Sequence, residues 1–179
     1  MGQLIESTFV TLDGVIESPE KWGGPYWDQE HAAYAQALLD RADAILLGRS
    51  TYDGFADSWP QRAGDPYADR INSLPKFVAT RTGGTPTWNN TTFLKGDVAT
   101  AVKTLKDQFD GDILKFGTGD VDRALLEHSL IDEFHFWVFP VIAGGGTHLL
   151  EGMVTPAHLT AIGAVTFGSG IVVHVCTPR

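Results

Sequence analysis

Two apolar segments of the chain each end in a glycine turn and then continue into a helical pattern. Residues 44–47 form an apolar run of strand length, which is followed by Gly48-Arg49 and then Ser50-Thr51. Residues 113–116 form the second run, which is followed by Gly117-Thr118-Gly119. Free N–H groups at the start of a helix attract anions, and a glycine lets a ligand approach the backbone. Two such turns after buried strands predict a binding site for a dinucleotide.

Strands and helices alternate through the first two thirds of the sequence. Hydrophobic spacing and capping residues predict strands at residues 4–10, 44–47, 76–80, 91–94 and 113–116, and helices at residues 28–42, 50–59, 67–73, 98–109 and 121–128. The last third predicts strands without helices between them, at residues 133–141, 159–167 and 171–176, with a hairpin turn at Gly168-Ser169-Gly170. The alternating part is typical of a parallel sheet with helices on both faces.

We therefore expect an α/β fold with three αβα layers and a mostly parallel central sheet that carries antiparallel C-terminal strands. A chain of 179 residues with 43% hydrophobic content can bury one core, so we expect a single domain over residues 1–179. Neither a repeat nor a flexible linker divides it.

Charge and cysteine content exclude several classes of partner. The net charge of −9 argues against nucleic-acid and anionic-membrane surfaces, which require clustered basic residues. The sequence lacks a signal-peptide pattern and an apolar run of about 20 residues, so we expect a soluble, cytoplasmic protein. One cysteine, Cys176, cannot form an internal disulfide, and the six histidines show no metal-site spacing. We predict no bound metal.

Several short motifs follow one another at defined places after the predicted strands. In chain order they are Leu12-Asp13-Gly14, Leu47-Gly48-Arg49-Ser50-Thr51-Tyr52, Thr80-Arg81, Phe116-Gly117-Thr118-Gly119, Leu130-Ile131-Asp132-Glu133 and Phe139-Pro140-Val141-Ile142-Ala143-Gly144-Gly145-Gly146. Their order and spacing resemble the dihydrofolate reductase-like fold. Within that fold, the chain is most similar to the C-terminal reductase domain of bacterial riboflavin biosynthesis proteins and its stand-alone relatives.

The resemblance implies NADPH as the cofactor and assigns residues to its parts. Gly48, Arg49, Ser50 and Thr51 would meet the phosphates, Thr80 and Arg81 would approach the adenosine 2′-phosphate, and Gly117, Thr118, Gly119, Asp120 and Val121 would receive the pyrophosphate and nicotinamide half. The residue types agree with NADPH rather than NADH. A guanidinium can hold a phosphate with two hydrogen bonds, and no acidic residue directly follows these strands to bind a ribose 2′-hydroxyl.

Candidate catalytic and substrate-binding residues lie around the first strand and the loop after it. Asp13 and Asp28 are the candidate proton donors, with ordered water as an equal alternative, and Asp13 could instead only shape its turn. The candidate substrate contacts are Asp13, Gly14, Trp22, Trp27 and Tyr52. Such aromatic residues are often part of a core, but a loop that carries Trp22 and Trp27 is expected to line a pocket.

The resemblance implies a reductase that transfers a hydride to a C=N or C=O bond of a small heterocycle, similar to 5-amino-6-(5-phosphoribosylamino)uracil reductase. Two alternatives stay open, namely a non-catalytic NADP(H)-binding or sensor protein and a pteridine or dihydrofolate reductase. The stretch around His31-Ala32-Ala33 lacks the helix carboxylate that holds the pterin in dihydrofolate reductases, and the chain lacks the zinc-ligand cluster of the fused deaminase.

A second subunit is also expected. Phe134, Phe136, Trp137 and Phe139 place apolar side chains on both faces of one strand near the end of the chain. Because a second copy could cover one of these faces, we predict a homodimer.

Overall fold

The strands and helices follow the hydrophobic pattern along the chain. The computed structural model describes residues 1–62 and 64–179. The strands are β1 (Leu4–Thr11), β2 (Ala42–Gly48), β3 (Lys76–Ala79), β4 (Thr91–Leu94), β5 (Asp112–Phe116), β6 (Glu133–Phe139), β7 (Leu159–Thr166) and β8 (Val172–Pro178). The helices are α1 (Pro19–Trp22), α2 (Gln29–Arg41), α3 (Arg49–Ser58), α4 (Pro66–Ser73), α5 (Val98–Gln108) and α6 (Asp120–Glu127), with 3₁₀ turns at Gly24–Tyr26 and Trp59–Gln61.

These strands form one mixed sheet in the order β4-β3-β2-β5-β1-β6-β8-β7. Strand β8 runs antiparallel to β6 and β7, and the other neighbouring strands pair in parallel. The predicted mostly parallel sheet with antiparallel C-terminal strands is therefore confirmed. Because β1, β2, β3 and β5 run in one direction, their carboxyl ends share one edge of the sheet, where open α/β sheets bind ligands.

Helices cover both faces of the sheet, which gives the three predicted layers. On one face, Leu39 of α2, Tyr52 of α3 and Ile71 of α4 pack with sheet residues in one buried cluster. On the other face, Val102 of α5 and Leu125 of α6 belong to a second cluster. Within the part of the chain that the structure describes, none of the helices is long and apolar enough to cross a membrane.

Aspartate caps begin three of the helices where the sequence predicts them. The Asp28 carboxylate accepts the N–H of His31 at 2.8 Å, at the start of α2. Asp65 accepts the N–H groups of two residues in the first turn of α4, and Asp97 accepts the N–H of Thr100 at the start of α5. Each cap satisfies backbone donors that have no partner inside the helix, so it fixes where the helix starts.

The structure differs from the sequence prediction in two short regions. The predicted loop before α2 contains helix α1 and the 3₁₀ turn Gly24–Tyr26, each with a proline at its start. Elements of three or four residues are too short to show a hydrophobic period, which is why the sequence does not reveal them. Strand β6 ends at Phe139, because Pro140 cannot donate to a sheet ladder.

Lys76, a buried lysine at the start of β3, makes hydrogen bonds to the end of α4. The Lys76 ammonium donates to the backbone carbonyls of Ile71, Asn72 and Leu74 at 3.0, 3.0 and 2.8 Å. It also lies 4.4 Å from the ring centroid of Trp88. Burial lowers the pKa of Lys76 to about 8, which leaves most of the amine protonated at neutral pH. Lys76 thus satisfies carbonyls that the end of a helix leaves without N–H partners.

We predict that Lys76→Met lowers the free energy of unfolding by about 1–3 kcal/mol, because the carbonyls that Lys76 serves lose their donor while the aliphatic stem is kept. Chemical denaturation followed by circular dichroism measures this loss. Lys103→Met, at an exposed position of α5, is the control and should change the free energy by less than about 0.5 kcal/mol. Equal effects of the two substitutions would contradict the role of Lys76.

Candidate functional site

The two glycine turns predicted to bind a dinucleotide lie side by side at the carboxyl edge of the sheet. Gly48 ends β2, and Gly117 follows β5, the strand that pairs with β2 in parallel. The N–H of Gly117 donates to the carbonyl of Ser7 in β1 at 3.1 Å. A β-carbon placed on Gly117 would lie 3.0 Å from Oγ1 of Thr51, in the first turn of α3. The fold therefore joins the two turns into one site.

The first turn of α3 presents hydrogen-bond donors that lack side-chain partners among the described residues. Gly48 occupies the N-cap position, where no side-chain cap bond forms among the described residues, and a β-carbon there would meet open space. The Arg49 Nε donates to Asp53 at 2.8 Å, and the guanidinium lies 5.2 Å from the ring centroid of Phe93. Its buried Nη1 has no hydrogen-bond partner within residues 1–62 and 64–179. This set of donors suits an anion such as a phosphate.

The second turn, Gly117-Thr118-Gly119, has a backbone shape that requires glycine and a polar atom that lacks a partner. Gly117 has φ +71°, a left-handed conformation that glycine adopts at little cost. The buried Oγ1 of Thr118 makes no hydrogen bond to the part of the chain that the structure describes. Gly119 precedes α6, and a β-carbon there would meet open space. Room beside both Gly48 and Gly119, together with these polar atoms, fits a dinucleotide phosphate group.

Ion pairs link the end of β3 to the start of α6. Arg81 and Arg123 each donate to the Asp120 carboxylate, and the hydrogen bond from Arg81, with the charge of Arg123, lowers the pKa of Asp120. The Arg81 side chain is 85% exposed, and exposed ion pairs contribute little to stability, so Arg81 can exchange this partner for another anion. The Thr80 hydroxyl donates to the Thr82 carbonyl at 2.7 Å. Val121 packs inward against the core beneath α6.

The structure gives Asp13 a loop-holding role that does not suit a proton donor. Its carboxylate accepts the hydroxyl of Thr11 at 2.5 Å and the N–H groups of Ala143 and Gly144 at 3.0 and 2.7 Å. These hydrogen bonds lower the pKa of Asp13 to about 2. A general acid at neutral pH needs a pKa much nearer to 7. Asp13 instead ties the end of β1 to the glycine-rich loop after β6, beside Gly14, whose φ is +87°.

Asp28 is similarly engaged. The N–H of His31 lowers the pKa of its carboxyl, which caps α2. A carboxylate that stays ionised to low pH cannot supply a proton at neutral pH. The structure therefore favours neither of the predicted proton donors.

The three aromatic residues predicted to contact a substrate have different surroundings. The Tyr52 side chain is buried, with 3% exposure, and its hydroxyl oxygen accepts the N–H groups of Thr87 and Trp88. These contacts give Tyr52 a loop-holding role and do not favour it as a substrate contact. Trp22 donates from its ring nitrogen to the Glu17 carbonyl and packs edge-on against a phenylalanine of β6. Trp27 is 48% exposed and stays available at the mouth of the site.

Trp27 covers His31, a residue to which the sequence analysis assigns no role in binding or catalysis. The His31 ring stacks on Trp27 at 6.0 Å and lies 5.5 Å from Phe9 and 5.1 Å from Trp137. Its Nε2 is buried and has no hydrogen-bond partner in the described parts of the chain, and burial lowers its pKa. The sequence signal that could have identified His31 is its position in the first turn of α2, three residues after the Asp28 cap and next to the loop that carries Trp22 and Trp27. His31 is a polar group that a substrate could meet.

Cavities lie near both ends of the described sheet. One of about 310 Å³ lies at the carboxyl ends of β1 and β6, where it is bounded by Val15, Glu17, Lys21 and Trp22 and by the loop at residues 141–146. The other, of about 250 Å³, is mostly apolar and lies between α6, β6 and residues 150–157. Among the described residues, no three His, Cys, Asp or Glu side chains lie close enough to hold a metal ion.

The sheet order and the joined glycine turns define a dihydrofolate reductase-like domain, and sequence comparison identifies the family. The chain belongs to the RibD C-terminal domain family, whose sequence model matches residues 3–173. This family is the reductase domain of riboflavin biosynthesis, so the chain is a member of a family of oxidoreductases. The resemblance noted from the motifs is thereby confirmed.

Known relatives match along almost the whole chain. The chain is 28% identical over 176 residues to the uncharacterized protein YyaP of Bacillus subtilis (strain 168), which covers 95% of this chain and 92% of YyaP. It is similar in structure to a protein from Shewanella sp. PV-4 assigned to riboflavin biosynthesis, with a TM-score of 0.80, 21% identity and 99% of each chain covered.

A longer relative shows the same fold in part of its chain. This is the diaminohydroxyphosphoribosylaminopyrimidine deaminase/5-amino-6-(5-phosphoribosylamino)uracil reductase of Thermotoga maritima, with a TM-score of 0.70 and 17% identity. The match covers 99% of this chain and 57% of the Thermotoga chain. At such identities the two solved structures show a shared fold.

We predict that Gly117→Ala lowers the free energy of unfolding by about 1–2 kcal/mol, because an L-residue is strained at φ +71° and its β-carbon would press on Thr51. Thermal or chemical denaturation measures the loss. Gly54→Ala is the matched control, since Gly54 is exposed within α3 with open space around it, and it should raise stability by about 0.5–1 kcal/mol. A Gly117→Ala protein as stable as the wild type would refute the strained turn.

Proposed function

We propose that this protein is an NADPH-dependent reductase that transfers a hydride to a C=N or C=O bond of a small heterocyclic substrate. The observation that carries the proposal is the junction of the two glycine turns. There, the free start of α3, the buried Nη1 of Arg49 and the buried Oγ1 of Thr118 lack partners within the described residues. Buried donors without partners cost free energy, and a bound phosphate would satisfy them.

The residues at this edge can hold a phosphorylated dinucleotide. The N–H groups of Ser50 and Thr51 and the guanidinium of Arg49 would bind one phosphate group, and the turn before α6 would accept the pyrophosphate. Arg81 supports NADPH over NADH, because its exposed guanidinium could leave Asp120 for a 2′-phosphate. Bound NADPH would supply the hydride, and the protein would supply binding and orientation.

The substrate would lie beside α2, next to the aromatic residues that surround His31. Phe9 of β1 and Trp137 of β6 form an apolar floor, and Trp27 closes the outer side. Such a wall excludes water and suits a planar ring, while the Nε2 of His31 could bond to a polar atom of that ring. Because neither Asp13 nor Asp28 is suited to donate a proton, and burial lowers the pKa of His31 as well, we assign protonation of the substrate to ordered water.

The reductase named for the Thermotoga protein suggests the substrate class. We propose that a pyrimidine related to 5-amino-6-(5-phosphoribosylamino)uracil is the first acceptor to test. The match covers 57% of that longer protein, and this chain has a single cysteine, which leaves it without a Cys-x-x-Cys zinc motif.

We predict that Arg49→Ala weakens NADPH binding by at least about tenfold, because a guanidinium contact to a phosphate is worth about 1.5–3 kcal/mol. Isothermal titration calorimetry with NADPH and NADH measures both affinities, and the wild type should bind NADPH more tightly. Arg62→Ala is the control. Arg62 also lies over an aromatic ring, that of Trp59, but away from the carboxyl edge of the sheet, and its loss should leave the affinity within about twofold.

The other outcomes distinguish the alternatives. If the wild type binds neither nucleotide, the reductase proposal is rejected. Tight NADPH binding without oxidation by any tested acceptor favours the binding or sensor protein, and turnover with dihydrofolate favours the pteridine reductase.

We also propose a homodimer. Its contact would lie on β7 and not on β6, the strand whose apolar residues led to the prediction from sequence. Phe134, Trp137 and Phe139 of β6 are buried within the chain. Strand β7 lies at the sheet edge, and Ile162 and Val165 there are 54% and 41% exposed. Exposed edge strands with apolar side chains favour pairing with another chain.

We predict that Ile162→Lys shifts the protein from dimer to monomer in analytical ultracentrifugation, because a charge would have to be buried at the contact. Val154→Lys, in a loop where the side chain is 97% exposed, is the control and should leave the oligomeric state unchanged. A monomeric wild type would contradict the proposed dimer.

A further inference from the structure

Three ionisable side chains are buried in contact with one another next to the Gly117-Thr118-Gly119 turn. They are Glu6 of β1, Lys115 of β5 and Asp122 of α6, and their side chains are 0, 2 and 1% exposed. The Lys115 ammonium lies 3.1 Å from Oε2 of Glu6 and 2.7 Å from Oδ1 of Asp122. Buried charges are costly unless they are paired, so these residues depend on one another.

The group holds two carboxyls and one ammonium. Burial raises the pKa of Glu6, and the hydroxyl of Thr8 donates to its Oε1 at 2.7 Å. Burial alone would lower the pKa of Lys115, but the two carboxyls beside it raise that pKa, so the ammonium stays charged. Two buried carboxyls beside a single cation favour one ionised and one protonated carboxyl. The group is then close to neutral, which suits a neighbouring phosphate better than an uncompensated negative charge.

The same group touches both ends of the turn. Nζ of Lys115 donates to the carbonyl of Gly117. At the other end, the N–H of Gly119 donates to Oδ2 of Asp122 at 2.7 Å. Thr118, whose hydroxyl has no hydrogen-bond partner among the described residues, lies between these two glycines. Charged partners make hydrogen bonds that are about twice as strong as neutral ones, so Lys115 and Asp122 can hold the turn in a single conformation.

We propose that Lys115 and Asp122 are positioning residues that hold the Gly117-Thr118-Gly119 turn in the shape that receives the dinucleotide. The identity of the ligand in this inference rests on the proposed function. The way in which Lys115 and Asp122 hold the turn does not depend on it. A pre-formed turn binds more tightly because the ligand does not have to order it.

Asp122→Ala tests this directly. The variant removes the acceptor for the N–H of Gly119 but leaves Glu6 and Lys115 as a balanced pair, so an unpaired buried charge is not created. We expect NADPH affinity measured by calorimetry to fall by at least about tenfold, and Asp122→Asn to restore most of it, because its amide oxygen can still accept from Gly119.

The matched control is Asp132→Ala. Asp132 also pairs with a buried lysine, Lys106, and also accepts a backbone N–H, that of Leu4 at 2.7 Å, but it lies at the opposite end of β1. Asp132→Ala should also lower stability, because it removes the ion-pair partner of Lys106, while leaving NADPH affinity within about twofold. Equal NADPH affinities in the two alanine variants would overturn the positioning role.

Hydrogen exchange separates this inference from the proposed function. The amides of Thr118 and Gly119 should exchange at least about tenfold faster in Asp122→Ala than in Asp132→Ala, without any nucleotide present. If the wild type binds no nucleotide, the proposed function and the link between the turn and a cofactor are both rejected. Faster exchange of the Thr118 and Gly119 amides in Asp122→Ala would still show that Asp122 holds the turn. Unchanged exchange together with unchanged affinity refutes the inference alone.

Discussion

The parallel pairing of β1 between β5 and β6 is the constraint on which the site depends. This pairing positions Ser7 between two hydrogen-bond donors. The Ser7 carbonyl accepts a hydrogen bond from the N–H of Gly117, and the Ser7 hydroxyl oxygen accepts one from the ring N–H of Trp137 at 3.0 Å. One residue of a central strand thus connects the glycine turn to the aromatic wall around His31. Because neighbouring strands are about 4.8 Å apart, the glycine turn after β5 and the aromatic side chains of β1 and β6 lie on adjacent strands of one sheet edge.

Local signals made much of the fold predictable from the sequence. Alternating strands and helices indicated the layers, and aspartates at positions 28, 65 and 97 marked helix starts because a side-chain cap acts within three residues. The glycine turns were equally readable. Their shared edge followed from the rule that parallel strands end on the same side of a sheet.

The roles of individual side chains were less predictable, because they depend on partners distant in the sequence. Asp13 accepts N–H groups from Ala143 and Gly144, and this contact changes a candidate acid into a strong hydrogen-bond acceptor. The hydroxyl of Tyr52 is held by residues 35 and 36 positions later. The environment of His31, whose Nε2 has no partner among the described residues, depends on rings from two strands and a loop. No spacing rule within one segment reports such environments.

The central position of β1 also affects how the protein folds. Leu4 pairs with Ile113 and Ile5 pairs with Glu133, so the first strand of the chain finds its neighbours only after more than half of the chain has been synthesised. Contacts between residues distant in sequence form slowly, because closing long loops costs entropy before any contact forms. The carboxyl edge of the sheet is therefore completed late in folding, after β2, β3 and their helices can already have packed together.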